Sequence, residues 1–224
     1  MRLGDIYTPV RFRYARAHFD GAPIRILDIG CGNNSPSLTK RWFPKSTYHG
    51  VDIRQEGFDK ADRAAMDRFY LVGADGERGY ADIPDGSYDF VVMNHVIEHI
   101  RDQAAAIRSA CRKLKPGGII WVAFPSPSSL GFPSAVGTLN FCDDPTHVRV
   151  CDVMGIANML LDNGLRIVIG GRSRDPVRFL AGLSVLPAAI WSHLRTGKIQ
   201  VRGLWYLFGF EDRVIGRKPN EESR

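Results

Sequence analysis

Paired cysteines are missing from this sequence. Its four cysteines, Cys31, Cys111, Cys142 and Cys151, form no Cys-x-x-Cys pair, and no Cys/His group has zinc-finger spacing. That excludes a zinc-stapled or disulfide-stapled scaffold and leads us to expect reduced thiols in a cytosolic chain. A signal core is missing as well, since Met1-Arg2-Leu3-Gly4-Asp5 leads into no apolar stretch. No run reaches the roughly 20 apolar residues a spanning helix needs. Internal repeats and low-complexity tracts are also missing, which argues against solenoid and disordered architectures. Blocks of one charge do not occur: Lys and Arg total 30 against 24 Asp and Glu, and the excess of +6 is spread along the chain. The basic balance, with a pI near 9.3, favours an anionic partner, whether nucleic acid, an acidic membrane surface or a phosphorylated substrate.

What is present reads as a soluble domain. Apolar residues make up 44% and charged residues 24% of 224 residues, enough for one domain with a full core and no staples. Strand and helix alternate, the pattern of a parallel sheet with helices on both faces. Residues 24–29 (IRILDI) form a first strand ending at a glycine-rich turn, and Ser35-Pro36-Ser37 opens a helix with Ser35 as N-cap. Strands follow over 47–53, 68–73 and 88–93. A helix capped by Asp102 runs through Arg112, Lys113 and Lys115 until Pro116-Gly117-Gly118 stops it. Residues 119–124 (IIWVAF) are a fifth strand, 125–133 a Pro/Ser/Gly-rich loop, 151–163 a helix ended by Gly164, 165–170 a sixth strand and 208–217 a seventh. We read a single domain: 1–23 a helical extension, 24–124 a cofactor-binding half, and 125–224 acceptor-side loops, an apolar insertion and the last strands.

Asp28-Ile29-Gly30-Cys31-Gly32-Asn33-Asn34 closes the first strand. Glycines there admit a ligand close to the backbone, and the next helix aims N–H groups at it. Asp52 ends the second strand 20 residues after Gly32, where a carboxylate can accept both hydroxyls of a ribose. Together these indicate an adenosine-containing cofactor, although each acid also suits a turn or capping role. A dinucleotide fingerprint needs a third glycine where this sequence has Ser35, which disfavours NAD and an NAD-dependent oxidoreductase.

Asp28–Gly32, Asp52, Gly73-Ala74-Asp75-Gly76, the segment Ser87 to Ile100 (SYDFVVMNHVIEHI) and Leu114-Lys115-Pro116-Gly117-Gly118 together resemble the class I S-adenosylmethionine-dependent methyltransferases over residues 24–124. The resemblance implies a Rossmann-like, mostly parallel seven-stranded sheet of order 3-2-1-4-5-7-6. It also implies S-adenosylmethionine as cofactor and S-adenosylhomocysteine as product. Gly30 and Gly32 would then line the methionine portion, in a turn shared with Cys31 and Asn34, and Asp28 would reach its amino group through water. Asp52 would hold the ribose, Ile53 would pack on the adenine, Asp75 would accept from its amino group beside Gly76, and Asn94 and His95 would close the methionine side.

Methyl transfer from a sulfonium needs alignment above all, and a hydroxyl acceptor also benefits from a base. The Asn-Pro-Pro-Tyr motif of the resembling nucleic-acid amino methylases is absent, and Asn94-His95-Val96-Ile97 stands in its place. A small-molecule or glycan acceptor is therefore favoured over nucleic acid. Asp143-Asp144-Pro145-Thr146-His147-Val148-Arg149 resembles a segment of methyltransferases from bacterial glycan pathways. His147 is the first candidate base, with His95 and His99 next, His99 also reading as a residue packed under a helix. Asp143, Asp144 and Arg149 are candidate substrate contacts, and Arg149 suits an anionic group. Asp143, Asp144 and His147 form an incomplete set for a divalent metal, so none is assigned.

Residues 179–191 (FLAGLSVLPAAIW) are apolar but interrupted by Gly182, Ser184 and Pro187, and too short to span a bilayer. Arg172, Arg174 and Arg178 precede them, and Arg195, Lys198 and Arg202 follow, with Trp191, Trp205 and Tyr206 nearby. The segment reads as a lid or homodimer surface, or as an interfacial element on an anionic membrane at its inner face, joined there by Arg11, Arg13, Arg16, Phe12, Tyr14 and Phe19. The alternative to an enzyme is a non-catalytic, membrane-associated module that binds the same cofactor.

Overall fold

Continuous apolar runs set the central strands, and aspartates cap four of the helices. The computed structural model describes residues 7–73, 79–132, 140–173, 175–197 and 204–220, the side chains of Trp205 and Tyr206 excepted. The first half contains α1 (Val10–Phe19), β1 (Arg25–Ile29), α2 (Ser35–Trp42), β2 (Thr47–Asp52), α3 (Lys60–Ala65), β3 (Arg68–Leu71) and β4 (Tyr88–Asn94). The second contains α4 (Gln103–Lys113), β5 (Leu114–Pro125), α5 (Val153–Asp162), β6 (Arg166–Arg172), α6 (Pro176–Thr196), α7 (Leu204–Phe208) and β7 (Glu211–Arg217). The carboxylates of Asp59, Asp102, Asp152 and Asp175 accept from first-turn amides of α3, α4, α5 and α6, which satisfies donors a helix cannot pair internally.

The sheet has seven strands in the order β3-β2-β1-β4-β5-β7-β6. All neighbours are parallel except β7, which runs antiparallel to both β5 and β6. Leu27, Ile29, Val91, Met93, Ile120 and Val122 enter one buried cluster with Ile107 of α4 and Leu160 of α5. Ile26, Phe90, Val92, Ile119 and Trp121 enter another with Phe12 of α1 and Phe43. Successive strand residues point to opposite faces, so both faces are covered. The strand order reverses between β1 and β4, and Ile29 pairs with both Val51 and Met93 there. Three strand ends thus open side by side at the switch point, where open α/β sheets bind ligands.

Four local expectations change. The helix before β5 ends at Lys113, and β5 begins at Leu114, so Pro116-Gly117-Gly118 lies inside a strand. The Gly117 amide and Gly118 carbonyl pair with Lys218, and Lys115 reaches sideways to Asp89 at 2.8 Å rather than capping the helix. The loop after β5 contains a 3₁₀ turn, Pro127–Gly131. Phe208 ends α7, and the seventh strand starts only at Glu211. Residues 179–191 belong to a 21-residue helix that continues through Pro187. That helix is long and apolar enough, by length and composition, to cross a membrane.

Candidate active site

At the β1 turn the Gly30 and Cys31 amides donate to the Val51 carbonyl at 2.7 and 3.1 Å, which locks the turn onto β2. The Gly32 amide donates to Asp52 Oδ2 at 3.0 Å and the Arg54 amide to Asp52 Oδ1 at 3.1 Å. The Asp52 carboxylate is therefore held in place with lone pairs remaining on both oxygens. The two glycines differ. A Cβ on Gly30 (φ 69°) would lie 2.2 Å from Val96 Cγ2, whereas a Cβ on Gly32 (φ 48°) meets nothing within 4 Å. Gly30 makes room for Val96, and Gly32 keeps the floor of a cleft open.

That cleft, of about 520 Å³, is lined by Gly30, Gly32, Asp52, Ile53, Tyr80 and Val96 among others. Ile53 is 51% exposed at its edge, an apolar face available to a ring. Tyr80 was not singled out from sequence. It closes the cleft with a hydroxyl pushed up to about 12 by burial and by Asp52. Asp75 and Gly76 lie outside the described residues.

Asp28, Cys31 and Asn34 do not line the cleft. The Asp28 carboxylate is buried and accepts from Ser35 Oγ at 2.5 Å and Tyr48 Oη at 2.7 Å, while Arg11 Nη2 donates to Ser35 Oγ at 3.2 Å. Burial raises the Asp28 pKa despite the nearby Arg11 and these hydrogen bonds. Cys31 is buried in the core, where desolvation pushes its thiol well up. Asn34, rather than Ser35, is the N-cap of α2. The Asn34 and Ser37 amides donate to the Asp62 carboxylate at 2.7 and 3.1 Å. The N–H groups expected to face a ligand are thus taken by a protein carboxylate, which leaves this helix end no vacancy for a pyrophosphate.

A second cleft, of about 580 Å³, shares His95 and His99 with the first and is lined further by Arg11, Asn94, Glu98, Asp144, His147, Arg178 and Glu211. His95 has a φ of 57°, and its amide donates to the Ala123 carbonyl at 2.8 Å. Its Nε2 lies 3.0 Å from Glu211 Oε2 and its Nδ1 3.5 Å from Glu98 Oε1. Burial lowers the His95 pKa, but Glu211 and Glu98 outweigh it and carry it up to about 10. Flanked by two carboxylates, the ring is held toward its protonated form, which argues against the base role expected of it. Burial raises the Glu211 pKa, and His95 more than reverses that, so the glutamate is held ionised.

His147 suits the base role. Its Nδ1 lies 2.7 Å from the Phe141 carbonyl. A carbonyl only accepts, so Nδ1 carries the hydrogen and Nε2 keeps its lone pair in the neutral ring. The ring packs 4.4 Å from Phe141 and 4.8 Å from His99, centroid to centroid. His99 is oriented the same way by the Thr146 carbonyl, 3.1 Å from its Nδ1, and it faces both clefts rather than packing under α4. Asp144 sits in the second cleft. Hydrogen bonds from Thr146 outweigh burial and hold its carboxyl below the usual range. Asp143 instead completes a capping box with Asn140. Arg149 is exposed, lines neither cleft and donates to the Arg101 carbonyl at 3.1 Å. Both are corrected from substrate contacts to loop-building residues.

Glu98 escaped the sequence reading. It is fully buried, and apart from its ion pair with His95 Nδ1 at 3.5 Å neither carboxylate oxygen has a hydrogen-bond partner among the described residues, while its carbonyl accepts from the Val148 and Arg149 amides. Glu98, His99 and His147 each offer one ligand atom within 4.8 Å of the others, a nitrogen and oxygen set of the kind divalent cations accept. Metal-ligand potential therefore lies with this group rather than with Asp143 and Asp144. Arg11, Arg178 and Glu211 reach the cleft from α1, α6 and β7, and no local motif marks them.

A family model described as a methyltransferase domain matches residues 8–169. The 27-O-demethylrifamycin SV methyltransferase of Amycolatopsis mediterranei is 32% identical over 117 residues, 47% of this chain and 42% of that protein. The ubiquinone biosynthesis O-methyltransferase of Burkholderia vietnamiensis is 34% identical over 120 residues, 52% of this chain and 50% of that protein. The chain thus spans about half the length of the curated relatives it matches. The crystal structure of an S-adenosylmethionine-dependent methyltransferase from Mesorhizobium loti superposes with a TM-score of 0.63 at 17% identity, covering 94% of this chain and 99% of that one.

Proposed function

Because this chain belongs to the methyltransferase-domain family, we propose that it methylates a hydroxyl oxygen of a small molecule or of a sugar in a glycan or glycolipid. The cofactor is S-adenosylmethionine, which when bound supplies an electrophilic methyl on a positively charged sulfur. The cleft at the β1 turn fits it: Asp52 presents acceptors for ribose hydroxyls, Ile53 an apolar face for adenine, and Gly32 an open floor. The methionine portion would lie toward Asn94 and His95, where the two clefts meet, with Arg11 beside them as a cation for its carboxylate.

The observation that carries the reading is the 2.7 Å contact between His147 Nδ1 and the Phe141 carbonyl. With Nδ1 held to the Phe141 carbonyl at 2.7 Å, Nε2, 3.8 Å from Asp144 Oδ2, is the nitrogen left to take a hydroxyl proton as the oxygen attacks. The His95 imidazolium and its two glutamates hold the end of β4 in place and present fixed charge rather than a base. The relatives, a 27-O-demethylrifamycin SV methyltransferase and a ubiquinone biosynthesis O-methyltransferase, support oxygen as the methylated atom. A sugar hydroxyl is our preferred acceptor, from the 143–149 loop. The whole chain is taken as one methyltransferase domain acting on a small molecule, with peripheral contact to an anionic membrane and with homodimer formation as the second partner reading.

The test is methyl transfer from labelled cofactor to a panel of glycolipid and free-sugar hydroxyls, with and without EDTA. Label on oxygen, insensitive to the chelator, assigns the His147 lone pair to the proton. Loss of activity with EDTA and its return with a divalent cation would give that lone pair to a metal held with Glu98 and His99. Cofactor binding with no transfer to any hydroxyl would favour the non-catalytic module.

A further inference from the structure

A surface helix of a soluble protein turns its apolar stripe inward and its charged face to water. Here α6 does the reverse. Leu180, Leu183, Ile190, Trp191 and Leu194 recur at spacings of three, four and seven residues, which places them on one helical face, and they are 63%, 42%, 52%, 62% and 79% exposed. Phe179, 43% exposed, and Pro187 lie on that face too. On the opposite side Gly182 and Ala189, seven residues apart, are buried, and α7 packs against the helix. The small residues face the body and the large apolar ones face out.

We propose that α6 is a membrane seat lying in the plane of an anionic lipid bilayer, and that it sets the mouth of the acceptor cleft at the lipid surface. This rests on the methyltransferase reading only for what the cleft does there. An in-plane helix follows from its attachment. Gly182 and Ala189 are buried, α7 packs against the helix, and its first turn is held by Asp175, which bonds Arg13 at 3.2 Å and Tyr7 at 3.1 Å. A spanning helix would have to leave these contacts. Charge selects the occupant. The helix contains no Asp or Glu, Arg195 stacks 5.1 Å from the Trp191 ring, and exposed Arg172 lies just before it. An apolar stripe with an aromatic residue and arginines at its border suits the headgroup boundary of an anionic leaflet. Two residues before Leu180, Arg178 lines the acceptor cleft. The acceptor class is therefore an amphiphile, with its apolar part in the bilayer beside α6 and its polar, anionic headgroup reaching Arg178.

The test is co-sedimentation of the full chain with vesicles of phosphatidylcholine, alone or with phosphatidylglycerol, beside the Leu180→Glu/Trp191→Glu variant. Both substituted side chains are exposed, and S-adenosylhomocysteine titration of the variant controls for folding and for the cofactor site. Pelleting with the anionic vesicles, reduced at least tenfold with neutral ones and in the variant whose cofactor affinity is unchanged, is the expected result. Equal pelleting with neutral vesicles, or pelleting that persists in the variant, overturns the proposal. So does a dimer in light scattering that the variant splits while neither form pellets, since a second copy would then cover the stripe. Failure of cofactor binding in the unsubstituted chain would instead count against the methyltransferase reading.

Discussion

The two clefts meet at His95 and His99 but are built in different ways. The cofactor cleft is lined by the turns and strand ends of one stretch, Ile29 to Ile100, with Thr146 added. The acceptor cleft is assembled from side chains of remote segments: Arg11 from α1, Glu98 after β4, His147 from a loop, Arg178 from α6 and Glu211 from β7. A site made of turns constrains local sequence through glycines and a strand-end acid. One made of convergent side chains constrains only the fold. Substitutions should therefore separate the two, with binding lost on one side and turnover on the other.

The largest effect expected is from His147→Ala, which should lower turnover about 100-fold or more and leave S-adenosylhomocysteine affinity within a factor of two. Steady-state rates and calorimetry on the same sample check this, and unchanged turnover would remove His147 from the mechanism. Asp52→Ala should act on the other side, weakening cofactor affinity about 10- to 100-fold, as expected for losing hydrogen bonds to a charged group.

Next come the two glycines, which sharpen the contrast within the cofactor turn. Gly30→Ala drives a Cβ into Val96 at a left-handed φ and should cost about 2 kcal/mol or more, roughly 4–8 °C in a melting scan. Gly32→Ala bears only the φ cost, about 1 kcal/mol, since its Cβ meets open space. Equal losses from the two would refute the packing role given to Gly30. The smallest effect belongs to Arg149→Ala, expected to change turnover less than twofold because its guanidinium serves the Arg101 carbonyl. A large drop would return Arg149 to the acceptor.

The same contrast explains what could be read from sequence. The strand order, the switch point, Asp52 and Gly32 were legible because each is a local requirement of a turn or a strand end. His147 can be named as a candidate from sequence, but its contact with the Phe141 carbonyl cannot be read there. His95 can be named from its place at the end of β4, but the carboxylates that face it cannot. Its charge comes from Glu211, 116 residues away in sequence, and no local pattern carries that. Asp28 fits the motif, yet Tyr48 and Ser35 take its carboxylate. The apolar segment looks too short in sequence because Gly182 and Pro187 interrupt it, although the helix continues through both, with Gly182 buried and Pro187 exposed.

The most direct measurement is S-adenosylhomocysteine titration by calorimetry of the unsubstituted chain, Asp52→Ala and His147→Ala side by side. Saturable binding that Asp52→Ala weakens at least tenfold and His147→Ala leaves intact is the predicted result. Equal loss in both variants, or no binding by the unsubstituted chain, would contradict the division of the molecule into a cofactor side and an acceptor side.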